Sequence, residues 1–410
     1  MCALSFLIVT ARTCSSEVLT LDDCISLAKK GNLTLNQSIQ VLKKARSGLI
    51  DAYSSYYPSI DLSSGYRNTE GFRGEREGHY STSLSLQYPV FRGEYVRAGT
   101  DIARADVDAA QANYRFAQDE VIFTVQEAFF RILQKQGHSA LADNVLARRR
   151  QDLAVIRLKY DAGRESSPAV QEAEANVLQA EYEKMKAQEE LALARMELNI
   201  LLGRPREAEM VIRHEDEPVR FPSLESIIEG ARSERPEMHV ERARRSALEA
   251  QVSQAKSSYW PTVSLSGSYG WQGDALLDQE GGWSAGLNIS LPIFEGFSRK
   301  AKVVHATLSL QEEDLKLQEL EDRIEEEVEQ AYSNWELAQK NVHVSEMPLE
   351  AAREMYQLTR LHYEQGLTSY LSLQQKESSL TQAEYNHANA LFNLRTSGAR
   401  LQRVSGRRNQ

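Results

Sequence analysis

The chain is written twice. Tyr88-Pro89-Val90-Phe91-Arg92-Gly93 recurs as Leu291-Pro292-Ile293-Phe294-Glu295-Gly296, an offset of 203 residues fixed by Pro89 and Pro292. The same offset carries Tyr56-Tyr57-Pro58 onto Tyr259-Trp260-Pro261, Ala128-Phe129 onto Ala331-Tyr332, and Arg157-Leu158-Lys159-Tyr160 onto Arg360-Leu361-His362-Tyr363. It also carries Gly163 onto Gly366, Gln171 onto Gln374, Tyr182 onto Tyr385 and Gly203 onto Gly406. Self-similarity over such a distance with no slippage marks a tandem duplication. The repeats are 17–203 and 204–406, joined near Arg204–Pro222, with 1–16 before them and a tail at 407–410.

Each repeat opens with a helical pattern (about Leu21–Tyr56 and Leu224–Tyr259), interrupted near Gly31-Asn32 and Arg235-Pro236. Two strands follow, at about 58–68 and 80–90 in the first repeat and about 261–271 and 283–293 in the second. Ile60, Leu62, Tyr66, Leu84, Leu86, Tyr88 and Val90 share one parity, with Asp61, Ser63, Ser83, Ser85 and Gln87 on the other. Because the offset is odd, the second repeat flips parity: Val263, Leu265, Tyr269, Trp271, Trp283, Leu287, Ile289 and Leu291 are its apolar set. Period-two alternation of this kind is the strand signal. Segments of about ten residues match a tilted membrane-spanning strand, and Tyr and Trp near their ends suit the membrane interface.

Helical hairpins then span about 93–202 and 296–404. Val170, Ala173, Val177, Ala180, Lys184, Ala187, Leu191, Ala194, Leu198 and Leu201 alternate in threes and fours, and Leu373, Leu380, Ala383, Ala390, Leu394, Leu401 and Val404 do the same. This is a heptad seam whose alanines allow close helix approach. An unbroken helix from Tyr95 to Tyr160 would run roughly 100 Å at about 1.5 Å per residue. Gly137 and Pro348 are the positions expected to bend the long helices.

With 26% charged residues and a mean hydropathy of -0.48, the chain reads as long helices with much wetted surface rather than as a compact globule. A formal net charge of -10 leaves nothing to neutralise phosphates, which disfavours nucleic acid as a partner. All three cysteines, Cys2, Cys14 and Cys24, lie near the N-terminus. Ala3–Val9 resembles the apolar core of a secretory signal without the basic residues ahead of it, so 1–16 reads as a truncated signal peptide. The context Ala11-Arg12-Thr13 does not suit Cys14 as a lipidation site. No stretch of about 18 apolar residues exists, so any crossing of a membrane falls to the strands. The sequence holds no P-loop, nucleophile elbow, dinucleotide glycine pattern or His/Cys metal spacing. Neither catalysis, a metal nor a cofactor is expected, and Glu325-Glu326-Glu327 reads as a solvated helix face.

Four strands cannot close a barrel, and an open sheet in lipid leaves edge groups unpaired at a cost of several kcal/mol each. Two or three chains must pool their strands, and pattern alone does not choose between eight strands and twelve.

The chain resembles the TolC-like outer-membrane efflux channels over essentially its whole length. The resemblance rests on the duplicated aromatic-Pro entry to a strand, the Pro-aliphatic-Phe-x-Gly exit into a long helix, the closing Leu201-Leu202-Gly203-Arg204, and the turns Tyr160-Asp161-Ala162-Gly163 and Tyr363-Glu364-Gln365-Gly366. It implies a mainly α protomer with a small β part, three copies pooling into a 12-strand β-barrel on a 12-helix α-barrel. It further implies a place in the outer membrane of a Gram-negative bacterium with most of the chain in the periplasm. The partners implied are outer-membrane lipid, a periplasmic adaptor (membrane fusion) protein on the helical tips and an inner-membrane pump of RND or ABC type. Carried onto this sequence, the adaptor-docking tips are Arg157, Tyr160, Gly163, Ser166, Arg360, Tyr363, Gly366 and Ser369, and the gate region is Asp161, Glu165, Ala169, Glu364, Ser372 and Gln375. Ala169 and Ser372 stand where many relatives place an aspartate, and Pro168 is a further departure, so an acidic ring at that level is not expected; Asp161, Glu165 and Glu364 carry the entrance charge instead. A channel of a type I protein secretion system and a soluble coiled-coil scaffold are the alternatives.

Overall fold

A computed structural model of the protein describes residues 17–70, 76–213, 221–275 and 278–406. The signal-like segment 1–16, with Cys2 and Cys14, and the tail 407–410 lie outside the described residues. Cys24 is a buried free thiol.

The elements run β1 (Glu17–Leu19), α1 (Leu21–Gly31), α2 (Leu33–Ser54), β2 (Ser59–Glu70), β3 (Arg76–Phe91), α3 (Tyr95–Asp161), α4 (Ser167–Leu201), β4 (Met210–Ile212), α5 (Leu224–Glu234), α6 (Pro236–Lys256), β5 (Thr262–Ala275), β6 (Asp278–Ser290), α7 (Ser298–Gln365) and α8 (Tyr370–Val404). The duplication is visible in the backbone: Ser59 and Thr262, Tyr95 and Ser298, Ser167 and Tyr370, and Leu201 and Val404 begin or end equivalent elements 203 residues apart. Among the described residues six glycines adopt positive φ, in three pairs at that same spacing: Gly93 with Gly296, Gly163 with Gly366, and Gly203 with Gly406.

Two readings of the sequence shift. The strands reach further toward the loops that join them than 80–90 and 261–271 suggest, because cross-strand pairing carries the extended backbone on to Arg76 and Ala275. In the other direction β6 stops at Ser290, so 291–293 are not strand. The expected bend points lie inside continuous helices, Gly137 within α3 and Pro348 within α7. The short strands β1 and β4, which pair in parallel, carry no alternation long enough to read from sequence.

The chain divides into two compact units. The first (17–37, 116–235 and 323–406) is built on the helical hairpins. Polar rungs set their geometry. Arg131 with Glu197 (2.9 Å), Lys135 with Glu190 (2.6 Å), Arg150 with Glu181 (2.6 Å) and Arg157 with Glu174 (2.6 Å) show α3 and α4 antiparallel. Arg148 with Glu384 (2.9 Å) and Arg403 with Glu120 (2.8 Å) place α8 antiparallel to α3 on its other side. The seam between them buries Ala173, Val177, Ala180, Ala187, Ala194 and Leu198 of α4, as the heptads require. At the far end of the hairpins Asn32 ties the start of the chain down: its amide donates to the Leu201 carbonyl (3.0 Å), and its Oδ1 accepts from Thr34 (2.9 Å) and Leu35 (3.2 Å). A Cβ on Gly203 would fall 2.4 Å from the Gly31 carbonyl oxygen, so this crossing demands glycine for space as well as for its φ of +70°.

The second unit (38–115 and 236–322) carries an antiparallel sheet in the order β2-β3-β5-β6. Register places like against like: Leu62 opposite Leu84, Leu84 opposite Tyr269, and Leu265 opposite Leu287 share one face, while Ser63 opposite Ser83, Ser85 opposite Ser268, and Ser268 opposite Ser284 share the other. Serine hydroxyls bond across the polar face, Ser63 to Ser83 at 2.8 Å and Ser268 to Ser284 at 2.9 Å. The apolar face is uncovered: Ile60, Leu62, Trp283, Leu287 and Ile289 are all exposed, and β2 and β6 are open edges.

Candidate functional site at the helical tips

Both hairpin turns are built the same way. Gly163 and Gly366 close α3 and α7 in left-handed conformation; Arg164 N–H reaches back to the Lys159 carbonyl (2.8 Å) and Leu367 N–H to His362 (2.8 Å). This is the Schellman closure, which satisfies carbonyls a helix end would otherwise leave bare. The next helices start on Ser166 and Ser369, whose hydroxyls accept from Ala169 N–H (3.4 Å) and Ser372 N–H (3.3 Å). Such caps contribute about 1 kcal/mol each. Pro168 sits in the first turn of α4, where its missing N–H costs nothing.

The side chains break the symmetry of the repeat. Tyr363, expected among the presented tip residues, is 2% exposed, whereas its counterpart Tyr160 is 45% exposed. Tyr363 packs with Ile156, Ala173, Tyr356, Tyr370 and Leu373, with Ala169 against the same cluster. Its hydroxyl donates to Glu165 Oε2 at 2.9 Å, its ring lies under the Lys159 ammonium (3.9 Å to the centroid), and its carbonyl accepts from the same ammonium. Burial and the carboxylate partner both push the phenol well above its ordinary range. Arg360 likewise turns toward the first hairpin, donating to Gln151 (3.2 Å) and lying 3.9 Å from Asp152 and 3.3 Å from Glu364. Arg157, its counterpart, stays within its own hairpin on Glu174. Asp161 and Gln375 are exposed and Ser372 is half-buried, so of the expected gate residues only Glu165, Glu364 and Ala169 join the Tyr363–Arg360 group.

Behind the turns lies a layer of buried charge that the sequence reading did not single out. Asp152 accepts from the Tyr356 hydroxyl at 3.3 Å, and burial raises its carboxyl to about 6 against the opposing pull of Arg360 and that hydrogen bond. Glu377, almost wholly buried, takes Arg149 (3.4 Å) and Arg148 (3.7 Å) while accepting from Thr381 (3.0 Å). Arg148 grips Glu384 with both terminal nitrogens (3.1 and 2.9 Å). Tyr370 accepts from Asn176 at 3.1 Å. Apart from the Thr381 bond within α8, every one of these links joins the first hairpin to the second. Their sequence signal is departure from the duplication: Arg148, Arg149 and Asp152 correspond to Ala351, Ala352 and Met355, so the first repeat carries charges that the second lacks.

Chemically the cluster is a hydrogen-bonded latch between two hairpins, with a small pocket lined by Arg149, Asp152, Asn176, Tyr370 and Glu377 beside it. No helix among the described residues is long and apolar enough to cross a membrane.

The profile of the family described as "Outer membrane efflux protein" matches residues 24–204 and again 227–407, two windows at the spacing of the duplication. Protein CyaE of Bordetella pertussis is 26% identical over 376 residues, covering 88% of this chain and 79% of its own. Outer membrane protein OprJ of Pseudomonas aeruginosa is 24% identical over 367 residues, covering 85% of this chain and 75% of its own. Among solved structures, the outer membrane protein VceC of Vibrio cholerae superposes with a TM-score of 0.81 at 20% identity, over 94% of this chain and 96% of that one.

Proposed function

The chain belongs to the outer membrane efflux protein family, and from that premise we propose that it is the exit duct of a tripartite efflux system, conducting small molecules passively. The observation that carries the reading is the sheet: four strands with an uncovered apolar face and two open edges, in one chain with a pair of long helical hairpins. Exposed Leu, Ile and Trp side chains each gain about 1.5–3 kcal/mol when buried, and lipid would bury them. The open edges then need partners, since unpaired backbone in hydrocarbon costs several kcal/mol per group. Three copies supplying twelve strands meet that need, with the hairpins forming the periplasmic wall.

In this reading the latch at the tips is the gate. Glu165, Tyr363, Arg360 and Asp152 hold one hairpin against the other, and opening requires exchanging these bonds for water. Arg157, Tyr160, Gly163, Ser166, Gly366 and Ser369 are the surface offered to a periplasmic adaptor, with Tyr363 supporting it from beneath. The adaptor in turn couples to an inner-membrane pump of RND or ABC type.

A second reading, the channel of a type I protein secretion system, is favoured by one observation: "Alkaline protease secretion protein AprF" of Pseudomonas aeruginosa matches at 24% identity over 351 residues, level with OprJ. Cell fractionation followed by native mass measurement in detergent tests the shared part. An outer-membrane trimer is expected; a soluble monomer in aqueous extract would favour the soluble coiled-coil scaffold instead.

A further inference from the structure

In the second unit α6 runs alongside α7, with Arg245 Nε 2.6 Å from Asp314 Oδ1. Within the same joint Glu241 of α6 meets Glu313 of α7, and the two carboxyl groups lie in hydrogen-bonding contact. Each turns one oxygen toward a cation: Glu241 Oε1 is 2.8 Å from Arg244, and Glu313 Oε2 is 3.7 Å from Lys316. The other oxygen of each, Glu241 Oε2 and Glu313 Oε1, is buried and has no hydrogen-bond donor among the described residues. Glu313 as a whole is 5% exposed, so bulk water does not supply that donor. The charges do not balance either. Lys316 is shared with Glu312 at 2.9 Å, and Arg245 is taken by Asp314 and Glu249. Three carboxylates, Glu241, Glu312 and Glu313, therefore stand against two cations, Arg244 and Lys316. The cluster belongs to one repeat only: Glu241, Arg244, Glu313 and Lys316 correspond to Ser38, Val41, Ala110 and Asn113.

Two carboxyl groups in contact do not both ionise, and one proton between them removes the repulsion and supplies the missing donor. We propose that Glu241 and Glu313 form a proton-binding site, in which Glu313 keeps its proton and donates it to the Glu241 carboxylate, fastening α6 to α7. That single proton brings the five groups to neutrality. Among the described residues no three His, Cys, Asp or Glu side chains are arranged to hold a metal ion, so a proton fits the gap better than a cation. The charged groups acting on Glu313 are Glu241 and Arg244 from α6 and Lys316 from its own helix. Burial first, and then Glu241, raise its carboxyl above the ordinary 4.5, against the pull of the two cations. The folded state thus binds the proton more tightly than the unfolded chain does. The fastening is fully present below the ordinary carboxyl value and is lost as pH rises through the raised one, when the proton leaves to water. The joint between α6 and α7 is in this way a pH sensor that the first repeat lacks.

Hydrogen exchange of the full chain in detergent, corrected for intrinsic rates, reads this joint in segments 238–248 and 308–318. Wild-type protection is expected to fall by roughly tenfold or more between about pH 4.5 and about pH 8. Glu313→Gln replaces the shared proton with an amide N–H that persists at every pH. It should hold both segments near the acid level of protection, flat within about twofold over the same range. Glu241→Gln, whose amide donates in the opposite direction, should do the same, so either variant serves if the other fails to fold. A pair that only fills space would instead lower protection at every pH and keep the slope. Infrared difference spectra of wild type minus Glu313→Gln, at about pH 5.5 where surface carboxyls are ionised, should show the carbonyl band of a protonated carboxylic acid. Wild-type protection that ignores pH, a slope that persists in both variants, or absence of that band would overturn the proposal. Calcium or magnesium ion that restores protection at about pH 8 in wild type but not in the variants would also overturn it, assigning the gap to a cation.

Discussion

The hydroxyl of Tyr363 in the last turn of α7 donates to Glu165 in the turn between α3 and α4, a 2.9 Å bond from one repeat of the chain to the other. It has no reciprocal within the chain, because Thr368 occupies the position equivalent to Glu165 and Tyr160 faces solvent. A duplicated chain has thus made its two tips unequal, one as anchor and one as surface. Tyr363→Phe removes the donor and should loosen the latch by about 1–2 kcal/mol, seen as a higher open probability in bilayer recordings. Tyr160→Phe should leave gating unchanged. Equal effects of the two would contradict the assignment.

Asp152 makes the same latch sensitive to pH. Its folded carboxyl titrates near 6, above the ordinary 3.8, so the folded state binds the proton more tightly than the unfolded chain does. Its contribution is therefore fully present below about pH 4 and is lost as pH rises through about 6. The difference corresponds to about 3 kcal/mol. Hydrogen exchange of segments 150–160 and 352–364, corrected for intrinsic rates, should show protection falling between pH 4.5 and 7. In Asp152→Asn the same segments should show a flat profile.

Glu377 and Glu174 are equivalent in the repeat and differ in setting. Glu377→Ala takes away a buried carboxylate shared by Arg149 and Arg148, leaving Arg148 on Glu384 and Arg149 on the Asn176 carbonyl, and should cost about 1–3 kcal/mol. Glu174→Ala removes only the exposed pair with Arg157 and should cost under about 1 kcal/mol. Denaturant midpoints of the two variants compare them directly.

Glycines at the two ends of a hairpin separate conformation from space. Gly163→Ala meets only the cost of positive φ, about 1–2 kcal/mol, since nothing lies within 4 Å of the added Cβ. Gly203→Ala adds collision with the Gly31 backbone at 2.4 Å and should lose roughly 3 kcal/mol or more. Thermal melting followed by circular dichroism would rank them, and equal losses would show that the crossing at Gly31 yields.

The element order and sheet faces were legible because they depend on period: alternation gave the strands, heptads the hairpins, and the repeated Tyr-x-x-Gly turn the positions of the tips. The tip chemistry was legible only in part. Reading Tyr160 and Tyr363 as equivalent follows from the motif, yet the partner of Tyr363 is set by Glu165 and Lys159 of the other hairpin, which no local pattern relates to it. Burial of Glu377 is equally non-local: on the α8 wheel it lies beside the apolar seam, and only the arrival of Arg148 and Arg149 from α3 makes it interior. The short pairing of β1 with β4 escapes for the same reason, since three residues hold no period to read.

Single-channel current through the detergent-purified protein in a planar bilayer, with native mass measured on the same preparation, tests the duct most directly. A trimer that inserts and passes a steady current, increased by Tyr363→Phe, is the predicted result. A natively folded chain that remains monomeric or dimeric and passes no current would contradict the duct and the membrane placement of all four long strands.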